Sequence, residues 1–478
     1  MNQLGVRWTA DQVLALAPDD ASRKAGSRLG TAGPWSETGS SGSGAVWGLC
    51  KGSGGKPYRT VVDMAGSSPA YKCSCPSRKF PCKHALGLLL LQTADEQGLR
   101  AVTPPGAAAG VTVGATVGAT APGWAQEWLA TRRESAARTR GREQGVEGSA
   151  EGELGSSAKT GDPEAARRRA ERRAERISLG ATELEQRLTD LLRGGLATAE
   201  QTGYKLWEET AARMVDAQAP GLAARVRELG AIPASGAGWP VRLLEECALL
   251  HLLDLAWLGR DRLPEPLSAT VRTRVGLTKP AEGPSVRDHW MVLAQYDTPD
   301  GKLVARRIWL YGRDSGRTAL VLSFGAAGRA PEIALPPGLM VDAELTYFAG
   351  SGQLRADLGE RFSVPVPIDE APPGAGTTEA VCSYGAALKD DPWLESWPVT
   401  LSGVIPIPAE DGWQLADAKG ESALPVAPSA LSRPGLWKLA ALSGGGPVTV
   451  FGECGHRGFT PLAAWPEGSA ETVALVDA

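Results

Sequence analysis

The sequence predicts a multidomain α+β protein: a small ββα module near the N-terminus, an α-helical bundle in the middle, and a C-terminal antiparallel β-rich region. Three observations predict it. Cys73, Cys75, Cys82 and His84 crowd into twelve positions of a 478-residue chain that has only seven cysteines and four histidines. From Pro163 apolar residues recur at helical spacing. Beyond about Leu277 they fall instead into short alternating runs separated by Gly and Pro.

The expected divisions are a finger module over 1–100 with its core at 46–92, a flexible linker over 101–162, and a helical bundle over 163–276. An antiparallel β-meander over 277–380 and a second β-rich domain over 381–478 complete the chain. Its length suits two to four domains at about 150 residues each. Glycine (59) and proline (35) are abundant, yet 42% hydrophobic residues supply a core. The net charge of -4 does not mark the whole chain as a nucleic-acid binder.

Trp8 to Leu29 carries enough apolar positions for one short helix, with Thr9 as its N-cap ahead of Gln12. Gly39 to Gly44 is a flexible turn before the first strand of the module. Trp47 and Leu49 alternate with small residues and face Val61 and Val62 across a hairpin turning at Gly52 to Lys56. On an extended strand, residues two apart share a face, so Cys73 and Cys75 can aim at one ion. Pro76 ends that strand, and Pro76 to Pro81 loops back to Cys82 and His84. The run Leu86 to Leu91 then starts a helix that buries one side.

Three thiolates and one imidazole form a standard structural set for a single Zn2+, and four protein ligands leave no position for a catalytic water. The pattern C-x-C-x6-C-x-H resembles the SWIM-type zinc finger family, with every ligand position filled by Cys73, Cys75, Cys82 and His84. It differs from fingers of the C-x2-4-C with distant H-x3-5-H type. The resemblance covers roughly Val46 to Gln92, and the whole chain is similar to bacterial SWIM zinc finger family proteins. It implies a binding module for nucleic acid or protein.

Lys51, Lys56, Arg59, Lys72, Arg78, Lys79 and Lys83 face only Asp63 between positions 51 and 84, seven charges against one. Part of that excess offsets the bound core, which three thiolates and a divalent ion leave at a formal -1. The rest, with Lys56, Arg59, Lys72, Arg78, Lys79 and Lys83 as partner-binding candidates, suits phosphates of DNA or RNA. A solvated face, or an acidic protein surface as partner, remains the alternative. Tyr58, Tyr71 and Phe80 are the rings available for base stacking. Gly55-Lys56 is followed by Pro57, and Cys50 stands where a phosphate loop needs glycine, so that motif is rejected.

Residues 101–162 are rich in Ala, Gly, Thr and Pro, with Trp124 and Trp128 marking a short docking helix. Pro163 opens a helix whose block Arg167, Arg168, Arg169, Arg172, Arg173 and Arg176 faces Glu171 and Glu175, a solvated face with i,i+4 pairs. Thr182 and Glu185 read as a capping box for a new helix that ends at Gly194-Gly195. Leu206, Trp207, Met214 and Val215 mark the next helix, and a further one stops at Gly230. The stretch after Pro240, apolar on nearly all sides, reads as the central buried helix, with Cys247 and His251 one turn apart as core residues.

A hairpin turn at Thr298 to Gly301 follows, then strands at RTALVLSF, MVDAELTYF and LRADL. In the last block WPVTLSGVIPI, GWQLADAKG, GLWKLAALSG, PVTVFGEC and FTPLAAW read as strands, with Trp393, Trp397, Trp413, Trp437 and Trp465 in their core. Cys454-Gly455-His456 is a loop thiol beside a surface imidazole, and His289 has no evident partner.

The N-terminus lacks a secretory pattern, and no apolar run near the finger approaches the roughly 18 residues of a membrane span. Scattered cysteines indicate a reducing, cytoplasmic setting. No catalytic constellation is legible, which argues against an enzyme. The leading reading is therefore a zinc-binding protein whose finger contacts nucleic acid or protein. The alternatives are a scaffold subunit without nucleic-acid contact, or an enzyme with its site in the helical or β region.

Overall fold

The structure, a computed structural model, describes residues 8–41, 44–52, 55–64, 69–77, 79, 81–98, 116–117, 120–143, 163–277, 281, 283–300, 303–326, 331, 333–350, 352, 354–410 and 412–476. The N-terminal segment forms two helices rather than one, α1 (Ala10–Leu14) and α2 (Asp20–Ser27). Pro18 disfavours helix at the residue before it, and Asp19 restarts the helix by accepting the Ser22 N–H at 2.7 Å. Thr9 and Gln12 do form the expected capping box, at 3.2 and 2.9 Å.

The finger sheet has order β4-β3-β2-β1-β5, from β1 (Trp35–Ser40), β2 (Ala45–Cys50), β3 (Tyr58–Asp63), β4 (Ala70–Cys73) and β5 (Thr116–Val117). Gly39 and Ser40, expected in a turn, are strand residues of β1 opposite Trp47 and Val46. A Cβ on Gly39 would stand 2.7 Å from the Trp47 ring, so the glycine serves close packing rather than flexibility. The helix α3 (Lys83–Gly98) covers one face of the sheet and α4 (Gly123–Glu143) the other.

Alternation along the strands divides the work: Val46 and Val62 meet α3, whereas Ala45, Trp47 and Val61 meet Ala125 and Leu129 of α4. Trp124 and Trp128 flank that contact. The α3 leucines Leu86, Leu88, Leu89, Leu90 and Leu91 are all buried, more than the one side expected, because α1 and α2 pack on the side away from the sheet. Each such burial contributes about 1.5–3 kcal/mol. Close approach of α2 and α3 requires Gly87, where a Cβ would lie 2.5 Å from that of Leu29.

The bundle comprises α5 (Pro163–Gly194), α6 (Ala197–Asp216), α7 (Pro220–Ala231), α8 (Trp239–Leu258) and α9 (Glu265–Val275). Thr182 is interior to one continuous α5, its hydroxyl donating to the Ser178 carbonyl at 2.9 Å, so the expected capping box is not used. The helix does stop at Gly194-Gly195, with Gly195 at φ +86°. On α6, Trp207 and Met214 are buried while Leu206 and Val215 are exposed.

The expected central burial of α8 is also corrected. Leu243, Cys247, Leu250, Leu253 and Trp257 face the bundle core, but Val241, Leu244, Leu252, Leu255 and Leu258 form an exposed apolar ridge. No described helix is long and apolar enough to cross a membrane.

The following strands are β6 (Val286–Asp300), β7 (Leu303–Gly312), β8 (Thr318–Ala326), β9 (Leu339–Tyr347), β10 (Arg355–Arg361) and the short β11 (Val366–Pro367). β6, β7 and β8 pair consecutively as an antiparallel meander, with β6 and β7 paired as far as Asp300 and Leu303. The expected turn at Thr298 is thus strand, and its Gly301 lies outside the described residues. β9 returns to pair with β6, while β10 pairs antiparallel to β9 and parallel to β8. The five strands β6 to β10 therefore close into a barrel with one parallel seam. Its interior, including Trp290, Ile308 and Val341, is continuous with the core beneath α3.

The last unit contains α10 (Thr377–Asp390), a six-stranded sheet and α11 (Gly435–Ser443). The strands are β12 (Ser396–Ala409), β13 (Gly412–Asp417), β14 (Ala423–Pro425), β15 (Val448–Gly455), β16 (Gly458–Pro466) and β17 (Val473–Ala474), in order β14-β13-β12-β15-β16-β17. The expected strand GLWKLAALSG is helix α11. Leu and Ala are good helix formers, and Leu436 and Leu439 fall three apart on the buried side. Trp437 consequently points outward, 70% exposed, instead of filling the core. Phe451, Leu462, Ala463 and Trp465 pack on the barrel exterior at Met291, Leu293 and Trp309.

Asp254 of α8 is fully buried, and neither of its carboxylate oxygens has a hydrogen-bond partner. Burial, then the nearby Glu185, raises its pKa from 3.8 to about 8. Folding thus favours the protonated acid. Its contribution to stability is complete below the unfolded value of 3.8 and declines as pH rises to about 8. Asp254→Leu should gain thermal stability over the parent across that window, by up to roughly 1.4 kcal/mol per pH unit. Unfolding midpoints that differ equally at pH 5 and pH 8 would contradict this.

Candidate metal centre and basic face

The ligand atoms of Cys73, Cys75, Cys82 and His84 all lie within 4.8 Å of one another. A tetrahedral ion with Zn–S bonds of about 2.3 Å requires sulfurs about 3.7 Å apart, so the cluster matches the size of the site. Cys73 ends β4, Cys75 follows in the turn, and Cys82 and His84 sit at the first turn of α3. Cys82 and His84 are buried, and the Cys73 sulfur is 3.7 Å from His84 Nδ1.

Each sulfur also receives a backbone N–H: Cys73 from Cys75, Cys75 from Ser77, and Cys82 from Ala85. Such donors favour thiolates and orient them. The Thr60 hydroxyl, opposite Cys73 across the β3–β4 ladder, adds a contact at 3.2 Å. The Tyr58 ring lies 4.8 Å from that of His84.

Hydrogen bonds from Cys82, then His84 and Thr60, hold the Cys73 thiol well below its ordinary pKa. Cys75 is raised, first by burial, and Cys82 is raised by its bond to Cys73 and then by burial. One thiolate thus forms readily, and a cation is needed to hold three. The donor set fits one structural Zn2+, with no ligand position left for substrate.

The basic candidates divide by face. Lys56, Arg59, Lys72 and Lys83 are exposed, with no carboxylate at ion-pair distance among the described residues. Lys79 is engaged by Asp19 at 2.6 Å, and Arg78 lies outside the described residues. Arg59 lies diagonal to Lys72 on the α4 side of the sheet, whereas Lys83 lies beside the metal ligands. Tyr58 packs on His84, Tyr71 lines the core, and Phe80 lies outside the described residues. The rings available to stack on bases are correspondingly few.

The other ligand-type residues are structural. Cys247 is in the bundle core, while His251 turns outward to Glu185 at 2.7 Å. Asp288, His289 and Asp314 also cluster. Asp288 there accepts the N–H groups of His289, Asp314 and Ser315 as a loop cap. His289, expected to lack a partner, binds Asp314 at 3.0 Å. Cys454 is not a loop thiol but a buried residue of β15. Thr60 is the site residue that sequence reading missed, since only the β3–β4 register reveals it.

Residues 58–92 match the SWIM zinc finger family, and residues 172–275 match the SWIM-associated four-helix bundle domain. No curated protein and no solved structure matches the chain.

Metal analysis should find one zinc per chain in the parent and none in Cys82→Ser. Chelation should remove hydrogen-exchange protection from β2 to β4 and α3 while α8 keeps its own, because α8 belongs to a separate core. Equal loss in both would contradict this. Thr60→Val should retain stoichiometric zinc but lose about tenfold or more in affinity in chelator competition.

Proposed function

Because the chain carries a SWIM zinc finger and a SWIM-associated four-helix bundle, we propose that the finger is a zinc-stabilised platform for binding nucleic acid through its phosphates. The observation that carries this reading is the set of exposed cations Lys56, Arg59, Lys72 and Lys83, which no described carboxylate neutralises. With Tyr58 and Tyr71 occupied in packing, the contacts are to backbone rather than to bases, and binding follows charge more than sequence. Zinc contributes architecture, holding the end of β4 and the start of α3 so that these cations keep fixed positions. The seven cysteines, none of them in a disulfide, suit a reducing, cytoplasmic setting.

A second reading, a scaffold in a protein complex, draws on the apolar ridge Val241, Leu244, Leu252, Leu255 and Leu258 of α8. An exposed stripe of this kind is a common mark of a protein interface. The two readings separate on salt. Two phosphate contacts on a duplex, from Arg59 and Lys72 on their shared face, give a slope of log affinity against log salt of about -1.8. The variant Lys56→Ala/Arg59→Ala/Lys72→Ala/Lys83→Ala should flatten that slope in anisotropy titrations with random-sequence DNA. An unchanged slope and affinity would overturn the phosphate reading.

A further inference from the structure

The β6–β10 barrel has a connectivity that implies more than support for the finger. Taking its strands as first to fifth, the neighbours run first, second, third, fifth, fourth and back to first, with third and fifth parallel. That is the connectivity of the OB-fold. The long first strand also carries a bulge between Val292 and Ala294, and pairs with β9 over Val286–Met291 and with β7 from Trp290 to Asp300. Barrels of this kind bind oligonucleotides or oligosaccharides over the face of the second and third strands and the loop between the fourth and fifth. A fold alone does not assign a function; the side chains on that face do.

The C-terminal unit covers part of the corresponding face at Trp309 and Leu320, and a trough borders the remainder. A cleft of about 810 Å3 lies over β6 and β7 at Tyr296, Arg307 and Trp309. A second, of about 470 Å3, continues along the β9–β10 loop at Phe348 and Gly350. Leu320 and Leu354 line both. The walls come from α7, α8 and α9 of the bundle on one side and from the C-terminal unit on the other. The trough thus crosses three parts of the molecule.

Its chemistry favours a phosphate chain over a neutral sugar. Arg225 of α7, Arg307 of β7 and Arg433 ahead of α11 line the larger cleft, and none has a carboxylate at ion-pair distance among the described residues. Among the described residues the Arg307 side chain donates from Nε to the Tyr296 hydroxyl, at 3.1 Å. Guanidinium groups bind phosphate oxygens in paired, charge-assisted bonds.

The carboxylates here are partly committed. Glu453 accepts from Tyr296 at 2.8 Å, Trp309 at 3.0 Å and Ser396 at 3.0 Å, and Glu246 faces Arg457 at 3.5 Å. Glu228 and Glu395 remain, and carboxylates accept from the amino edges of bases. Burial, then Glu395 and Glu246, raises the Glu228 carboxyl above its ordinary range, so a donor from a ligand would relieve it. In the smaller cleft the half-buried Trp397 ring offers a stacking surface, and Phe348 offers the face not covered by the Arg355 guanidinium, which lies 4.3 Å from its ring centroid.

We infer that the β6–β10 barrel binds a short single-stranded oligonucleotide in this trough, with Arg225, Arg307 and Arg433 on its phosphates and Phe348 and Trp397 against its bases. The site stands apart from the basic face of the finger and does not depend on it.

The test uses the full zinc-loaded chain and a fluorescein-labelled oligodeoxycytidine of about ten nucleotides, within the range of one barrel of this type. Anisotropy should show saturable binding that weakens about tenfold or more in Arg307→Ala/Arg433→Ala, through loss of charge-assisted contacts. Arg433→Glu alone, at a residue for which the structure gives no side-chain bond, should weaken it with near-ultraviolet circular dichroism unchanged. The fourfold finger variant should leave this binding intact. The inference is overturned if the parent does not bind the oligomer, or if both cleft variants bind it as the parent does. It is also overturned if the finger variant alone abolishes binding, or if a neutral oligosaccharide competes with equal strength.

Discussion

The bond network that ties the end of β4 to the first turn of α3 governs the N-terminal half of the molecule. Three thiols and an imidazole within 4.8 Å of one another are an unfavourable assembly unless a cation holds them. Once held, they fix both the direction and the depth of α3. The leucines of that helix then serve two surfaces, the finger sheet and helices α1 and α2, in one core that continues into the barrel interior. Part of the stabilisation supplied by the ion is therefore passed to the barrel. A finger folding as an isolated bead would have no such partner, and the buried ring of leucines around α3 would be half exposed.

What was legible in the sequence divides by range. The ligands were legible because Cys73, Cys75, Cys82 and His84 are close in sequence and their identities state their chemistry. Thr9 and Gln12 were legible for the same reason. Thr60 was not, because its contact with Cys73 depends on a strand register. Nor was the Lys79–Asp19 pair, which joins residues 60 positions apart and removes one cation from the expected basic face.

The same distinction explains the barrel. Local alternation revealed most of its strands, but insertion of β10 between β8 and β9 is a non-local pairing that no periodicity encodes. The missed helix α11 has a different cause: its short apolar run carries no period that separates strand from helix, and only length and Leu/Ala content argue for the latter.

The barrel occupies a structural position that neither the finger nor the bundle shares. Its interior is continuous with the core under α3, and its exterior at Met291, Leu293 and Trp309 packs on β15 and β16. Trp393, in the connection from α10 to β12, donates its indole N–H to the Leu249 carbonyl of α8 at 2.8 Å. Arg274 of α9 pairs with Asp391 in the same connection. The C-terminal unit is thereby fastened to the barrel by apolar burial and to the bundle by the buried Trp393 ring with its indole bond and by two ion pairs, Arg274–Asp391 and Arg457–Glu246. The joint with fewer apolar contacts is the one that borders the trough. Displacing the bundle there would break polar links that exchange with water and withdraw one ring, Trp393, from the bundle core, whereas separating the barrel from either packed neighbour would expose a broader apolar area. If an oligonucleotide enters the trough, the yielding wall is therefore that of α7, α8 and α9, while the barrel and finger keep a fixed relation through their common core.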